Sequence, residues 1–457
     1  MAFAMAVTGC VDVTVPYTSP IFPFLPGYGK ADAGAPVLLK NSTWWQGLGD
    51  HTLNRVVAHG LRGNIDLAVA RERVVAAQAA RRGIPGATLI SSSVGAQLEG
   101  NDTSAPEGTA TGTTGLTWLL DPWGGRRNQI RAAEARVEVA RAETDAARLL
   151  LLGTLTETYA RLRHSQRSLT QNEAELRRRQ STLALTRTLV AAEAATRLEV
   201  VRSRARVAEI RAQLPALRAQ ITAERNALAV LLGRAPHTLP ADLATALTQP
   251  GPQPRPSLSP EVGIPADLLR NRPDIRIAER SYYASVADIG VARADLYPRL
   301  SLGGTITLNA LSNTREGVEY AFGPTVQFPN LPLTQARETV KASHSAARQA
   351  HGIWVSTVLT ALLDVENALV EYDATTTAMG AAQEAHRLHR EALGLMQEVF
   401  KAGEATLGDL IDAEEAVLSA ERILTDLRLE QALRFVTLNV SLGAGNTAEP
   451  DTVVAAK

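Results

Sequence analysis

The chain is written twice. Laying residues 196–233 over 406–443, a shift of 210, sets Glu199 on Asp409, Val200 on Leu410, Val207 on Val417 and Leu232-Gly233 on Leu442-Gly443. The same shift runs upstream, where Leu152, Leu155 and Tyr159 meet Leu362, Val365 and Leu369, and Ile130 meets Val340. A period this long means two like structural halves, not a stack of short repeats.

Each half is dominated by helix. From 126 to 190 there is no proline and one glycine, Gly153, so an unbroken helix there reaches on the order of 95 Å. Val200, Val207 and Leu214 fall seven apart with Ser203, Ile210 and Leu217 three residues after each, and Leu410, Val417, Leu424 with Ala413, Ala420, Leu427 repeat the pattern. Such seams predict helices lying side by side as coiled coils, with Pro215 bending its own helix. Aromatic residues are only 4% of the 457, which suits long thin helices better than a thick core.

Between the helices lie stretches of period two. Leu300, Leu302, Ile306 and Leu308 alternate with Ser301, Gly303, Thr305, Thr307 and Asn309; Phe322, Val326 and Phe328 alternate with Ala321, Gly323, Thr325 and Gln327. In the first half Ile90, Val94, Ala96 and Leu98 oppose Ser91, Ser93, Gly95 and Gln97, and Leu116, Trp118 and Leu120 follow a polar loop. Hairpins with one apolar face commonly rest on a soluble core. Here slender heptad helices flank both hairpins and no compact core is available, so lipid is the remaining cover. Four strands cannot close a barrel, and an open sheet edge is not tolerated in hydrocarbon, so several chains must share one.

Other classes find little support. Formal net charge is zero, which gives no general attraction for nucleic acid. No stretch approaches the roughly 20 apolar residues of a membrane-spanning helix. The eight histidines show no metal-ligand spacing; His386 and His389 share a helical face without a third ligand, and Arg177-Arg-Arg179 reads as a solvated face. No nucleophile pair, phosphate loop or cofactor motif is present, so neither an enzyme nor a metal site is expected. Trp44, Trp45 and Leu48 read as packing residues.

The single cysteine, Cys10, follows Val7-Thr8-Gly9. This looks like a lipobox, whose cysteine becomes the acylated first residue of a mature lipoprotein. Nine residues precede it and none is basic, which we read as a start placed downstream of the true one. Pro16, Pro20, Pro23 and Pro26 make the following stretch an extended tether.

Several short motifs converge on one family. Asn64-Ile-Asp-Leu67, Leu228-Ala-Val-Leu-Leu-Gly233, Leu268-Leu-Arg-Asn-Arg-Pro-Asp-Ile275, Asp295-Leu-Tyr-Pro-Arg-Leu-Ser301 and Gly408-Asp-Leu-Ile-Asp-Ala413 resemble the TolC-type outer-membrane efflux factors, in the lipoprotein branch called NodT-like. The resemblance runs from Trp44 to Gly445. It implies an α+β membrane protein: a homotrimer with a twelve-strand outer-membrane β-barrel, four strands per chain, continuous with a long periplasmic α-helical barrel and built from two structural repeats. It further implies a passive exit duct in a tripartite efflux or export system, set in outer-membrane lipid, with a periplasmic adaptor (membrane fusion protein) and an inner-membrane pump of the RND type as partners. A periplasmic adaptor, or a structural coiled-coil lipoprotein, is the alternative; the first carries one helical hairpin between non-membrane β domains, and the second needs no alternating strands.

The expected divisions are a signal remnant, lipobox and tether (1–43), first-repeat N-terminal helices (44–85), a first β-hairpin (86–121), first-repeat long helices (122–233) and a proline-rich equatorial linker, irregular and exposed (234–265). The second repeat follows with an N-terminal helix (266–296), a hairpin (297–329), long helices (330–443) and a tail (444–457). Thr196-x-x-Glu199 and Thr406-x-x-Asp409 are capping boxes at equivalent helix starts, which accounts for both acids through orphan amides and the helix dipole. Asp412 is one turn further in and caps nothing. By resemblance, Asp409 and Asp412, with Glu199 at the equivalent turn, constrict the pore at the periplasmic tip. Relatives often close that tip with a tyrosine and an arginine, whereas Phe400 stands at the first place and Ala405 or Glu415 at the second. Residues 191–195 lack a glycine matching Gly403, which leaves the shape of the first-half turn open.

Overall fold

A computed structural model describes residues 13–29, 43–101, 104–193, 195–257, 263–310 and 317–445. In chain order the elements are α1 (His51–Gly63), α2 (Ile65–Arg82), β1 (Thr88–Asn101), β2 (Ser104–Leu120), α3 (Gly125–Ala191), α4 (Arg197–Leu231), α5 (Ala241–Thr248), α6 (Leu268–Asn271), α7 (Pro273–Ala294), β3 (Arg299–Ala310), β4 (Gly317–Gln327), α8 (Thr334–Lys401) and α9 (Leu407–Ser441). The two halves carry helices of nearly equal length: α3 and α8 have 67 and 68 residues, and α4 and α9 have 35 each. Helix α4 runs unbroken through Pro215.

The chain forms two compact units. One comprises Glu72–Arg141 and Arg276–Thr357 with the N-terminal segment up to Phe22; the other comprises Pro23–Arg71, Ala142–Ile275 and the chain from Val358 onward. The first unit holds one four-stranded antiparallel sheet in the order β1-β2-β3-β4. In the same unit Val286 and Ile289 of α7 and Ala347 of α8 make a small core that Val15, Tyr17 and Tyr282 close. Tyr17 packs edge-on to Tyr283 with ring centroids 4.6 Å apart, so the extended N-terminal strap is held by aromatic area.

The second unit is helical. Leu53, Val56, Leu152, Leu155 and Leu228 are fully buried. Val207, Ile210 and Leu214 on α4 are buried, and so are Val417, Ala420 and Leu424 on α9, the same seam positions 210 residues on. Two glycines end these helices at φ 73° (Gly233) and φ 75° (Gly443). A Cβ on Gly233 meets the Gly63 carbonyl oxygen at 2.0 Å, and one on Gly443 meets that of Asn271 at 2.6 Å. Each long helix thus ends with its backbone pressed on the end of a shorter one, α1 or α6, and only glycine supplies both the left-handed turn and the clearance.

Two expectations need correction here. The linker 234–265 is neither wholly irregular nor exposed: Pro240 precedes α5, whose Leu243 and Leu247 are completely buried. Spacing of four puts both leucines on one helical face, and docking them outweighs the disorder the prolines favour. Beyond α5 the linker is pinned by a main-chain bond, Ser257 N–H to Gly47 O at 2.7 Å, and by the Arg163 side chain, whose Nη1 donates to Gln249 O at 3.0 Å. The second correction concerns α8, which contains an 18-residue window of mean hydropathy 1.5, long and apolar enough to cross a membrane by composition. Between residues 352 and 370 only Asp364 and Glu366 are charged, and both are engaged, Asp364 with Arg272 at 3.1 Å and Glu366 with the Gly29 N–H at 2.9 Å. Trp354, Val358, Ala361, Val365 and Ala368 form a buried 4-3-4-3 seam, whereas Ile353, Leu359 and Leu363 stay exposed. The stretch reads as apolar because it presents greasy surface on two faces, one of them covered within the chain.

Candidate functional site

The sheet register separates two surfaces. Successive cross-strand partners put Ile90, Leu116, Gly304 and Phe322 on one face, with Trp118, Leu302 and Pro324 in the next row and Leu120, Leu300 and Val326 in the last. The alternate rows carry Ser93, Thr113, Thr307 and Glu319, then Gly115, Thr305 and Ala321, then Thr117, Gly303 and Gly323. Thr113 Oγ1 and Thr307 Oγ1 lie 3.3 Å apart on this polar face. The apolar face is bare: Ile90 is 79% exposed, Phe322 79% and Tyr320 84%. Strands of 11 to 17 residues meet or exceed the ~9–11 needed to cross hydrocarbon when tilted. The unpaired edges of β1 and β4 cannot face lipid.

At the other end of the helices, each half makes the same turn. Glu193 and Gly403, 210 residues apart, adopt φ 58° and φ 79°. Glu193 therefore takes the left-handed position that Gly403 fills, at a cost of about 1 kcal/mol for a residue with a Cβ. This resolves the open shape of the first-half turn. The helix starts that follow are both closed by the acid three residues on, and at Thr406 the threonine side chain takes part as well. Thr196 N–H donates to Glu199 Oε2 at 2.8 Å, and Thr406 N–H donates to Asp409 Oδ2 at 2.8 Å. Asp409 also returns its own N–H to Thr406 Oγ1 at 3.2 Å and accepts that hydroxyl at 2.6 Å. Those bonds from the Thr406 side chain and backbone hold the Asp409 carboxyl below the usual aspartate range. Glu199, Asp409 and Asp412 are all exposed in the single chain, and Asp412 lies one turn further along α9. Cys10 lies outside the described residues. Among the described residues there is no grouping of three or more side chains suited to a metal ion.

One ion-pair cluster escaped the sequence. Arg177 and Arg178 are exposed as expected, but Arg179 is not part of a solvated face: its side chain is 17% exposed and meets Glu415 at 2.7 Å and Glu175 at 3.1 Å. Glu175, only 2% exposed, also pairs with Arg422, and Glu415 meets Arg206 at 3.4 Å. Burial opposes the charge on Arg179, but hydrogen bonds to Glu415 and Glu175 outweigh it and hold its pKa above the ordinary arginine value. Helices α3, α4 and α9 are thus stitched together by charge, with Glu415 the acceptor shared by Arg179 and Arg206. The i,i+4 spacing of Glu175 and Arg179 was the legible half of the signal; Glu415 and Arg422 are more than 230 residues away.

Comparison with known proteins agrees with this geometry. The family model described as outer membrane efflux protein matches residues 61–234 and 264–444. Nodulation protein T of Rhizobium leguminosarum bv. trifolii is 31% identical over 455 residues, covering 97% of this chain and 96% of that protein. The pyoverdine export outer membrane protein OpmQ of Pseudomonas aeruginosa is 29% identical, covering 88% and 87%. The solved structure of the outer-membrane channel OprN superimposes with a TM-score of 0.83 at 29% identity over 94% of this chain and 98% of that one. Fold and family are those of channels, not enzymes. The chain belongs to the outer membrane efflux protein family, in the branch of nodulation protein T.

Proposed function

We infer that this outer-membrane efflux channel works as a passive exit duct, assembled from three copies and opened by a periplasmic adaptor and an inner-membrane pump of the RND type. The observation that carries the reading is the four-stranded sheet with a bare apolar face and two unpaired edges. Joining β4 of one copy to β1 of the next removes every edge. Two copies give eight strands, whose interior side chains fill, whereas three give twelve and leave a lumen lined by the glycine, serine and threonine rows. The long helices α3, α4, α8 and α9, taken three times, supply a twelve-helix wall built from two repeats. The exposed residues Ile353, Leu359 and Leu363 on α8 then meet another copy, not lipid.

The divisions drawn from the sequence keep their meaning in this assembly, with hairpins in the membrane, long helices in the periplasm and the linker at the equator. Acylated Cys10 anchors the chain to outer-membrane lipid. Supporting that placement, Val13, three residues later, donates its N–H to the Trp123 carbonyl at 3.4 Å, just past the end of β2. Asp409 and Asp412 line the periplasmic entrance, six carboxylates per trimer, with Glu199 at the equivalent turn, and draw cations toward it. An adaptor or a purely structural coiled-coil lipoprotein leaves the alternating sheet without a purpose.

Mass measurement in detergent, corrected for bound detergent, tests the assembly. A trimer with one shared barrel is expected. A stable monomer that inserts alone overturns it.

A further inference from the structure

Below the ends of β2 and β3 lies a cavity of about 420 Å3, within the ~300–1,000 Å3 of ordinary ligand sites. Its roof is apolar. Leu120 and Leu300, cross-strand partners in the last row of the bare face, line it together with Trp123. Its floor is charged, with Arg126 at the start of α3 and Arg299 at the start of β3 beside the carboxylates of Asp121 and Asp295. Leu120 and Leu300 belong to the apolar face, so the cavity is continuous with that face, while Leu119 and Arg299 in its lining fall in the register of the threonine rows. Because β2 and β3 are the central strands, pairing between copies at β1 and β4 leaves it open.

The charges are unequally satisfied. Arg299 pairs with Asp295 at 2.9 Å, and Asp121 accepts the Arg126 and Arg127 N–H groups at 3.2 and 3.0 Å and faces the Arg127 side chain at 3.7 Å. Arg126 lines the cavity half-buried and, among the described residues, its guanidinium has no carboxylate partner. Trp123 marks the depth: its ring stacks on Tyr297 with centroids 4.7 Å apart, and its indole N–H donates to the Pro298 carbonyl at 2.9 Å. An aromatic pair with one greasy side and one wet side is what the boundary between hydrocarbon and headgroups favours.

We propose that this cavity cradles the headgroup of a membrane phospholipid, its phosphodiester on Arg126 and Arg299 and its acyl chains rising along Leu120, Leu300 and the next row, Trp118 and Leu302. A guanidinium matches phosphate oxygens in a planar, charge-assisted fork, so an anion completes Arg126 without disturbing the helix cap that Asp121 supplies. The occupant is lipid and not free phosphate, because the roof continues without interruption into the bare face. The proposal rests on the outer-membrane reading given above.

The test uses the full chain, assembled in detergent, stripped of lipid and re-exposed to phosphatidylethanolamine, with native mass spectrometry counting what is retained. Wild type is expected to bind it at least tenfold more tightly than the Arg126→Gln/Arg299→Gln double variant, since each charge-assisted contact is worth about a factor of ten. Arg126→Lys, which keeps the charge, stays within a few-fold of wild type; Arg177→Gln, far along α3, changes nothing. Equal retention by wild type and the double variant, equal retention of diacylglycerol, or displacement of the phospholipid by millimolar inorganic phosphate overturns the proposal. Flotation of the same samples with vesicles separates the two readings: protein that floats but shows no arginine dependence sinks the headgroup site alone, and protein that fails to float sinks the membrane assignment.

Discussion

Glu175→Gln removes the most buried charge in the cluster that joins α3, α4 and α9. The wild-type carboxylate is 2% exposed, accepts Arg179 at 3.1 and 3.4 Å and is also paired with Arg422. Breaking a fully buried pair costs about 3–5 kcal/mol. Two features lower that figure here: Arg179 keeps Glu415 at 2.7 Å, and the Arg422 side chain, 47% exposed, can turn to water. The expected loss is therefore about 2–3 kcal/mol, against ~1 kcal/mol or less for Glu415→Gln, whose side chain is 39% exposed and solvent-screened. The loss is local, so hydrogen exchange is the suitable measure: amides of residues 411–424 in the assembled protein should exchange roughly 30- to 150-fold faster in Glu175→Gln. Replacing partners together, as Glu175→Leu/Arg179→Leu, should recover most of the protection, because an apolar pair leaves no uncompensated buried charge. Exchange within threefold of wild type for the single variant, or an equal loss for the double, refutes the account of these helices as charge-stitched.

Gly233→Ala should destabilise the second unit by on the order of 3 kcal/mol, since the new Cβ meets the Gly63 oxygen at 2.0 Å at a left-handed φ of 73°, whereas Glu193→Gly should be neutral or stabilise by about 0.5–1 kcal/mol; thermal unfolding of the detergent-solubilised protein ranks the two. Asp412→Ala should lower cation selectivity in planar bilayers and leave the start of α9 intact; Asp409→Ala should lower selectivity and also loosen that start, and unchanged conductance and selectivity in Asp412→Ala would remove this aspartate from the entrance. Because the Asp409 pKa is depressed in the fold, its contribution is present above the ordinary aspartate range and is lost as pH falls through the lowered value; exchange at 407–412 should accelerate on that acid side and not above it. Cys10→Ser, expressed from a complete reading frame, should lose incorporation of labelled acyl chain and keep substantial membrane association through the strands; a wild type that takes up no label refutes the anchor.

Local rules made the backbone plan of this protein legible without coordinates. The absence of proline over 126–190 predicted what became α3 (Gly125–Ala191), because a helix continues wherever nothing removes an amide or clashes with the preceding turn. Period-two alternation in 300–309 assigned the two faces of β3, because successive strand side chains point to opposite sides, and Thr406-x-x-Asp409 named its own cap, because donor and acceptor sit three residues apart. The acids of the turns were visible for the same local reason.

What only the tertiary structure decided is partnership between distant residues. Arg179 looked like its neighbours Arg177 and Arg178 and is distinguished by Glu415 on another helix. Leu243 and Leu247 became a docked helix in a proline-rich run because a buried surface was there to receive them. Glu193 took a backbone angle that suits glycine because the turn joining α3 to α4 has the shape that Gly403 gives the turn between α8 and α9. Arg126 and Arg299, one opening a helix and the other a strand, line one cavity only because β2 pairs with β3. Helix, strand and cap energies arise within a few residues, so they can be read along the chain; ion pairing and cavity shape depend on contacts between residues tens to hundreds apart, and those exist only once the chain has folded.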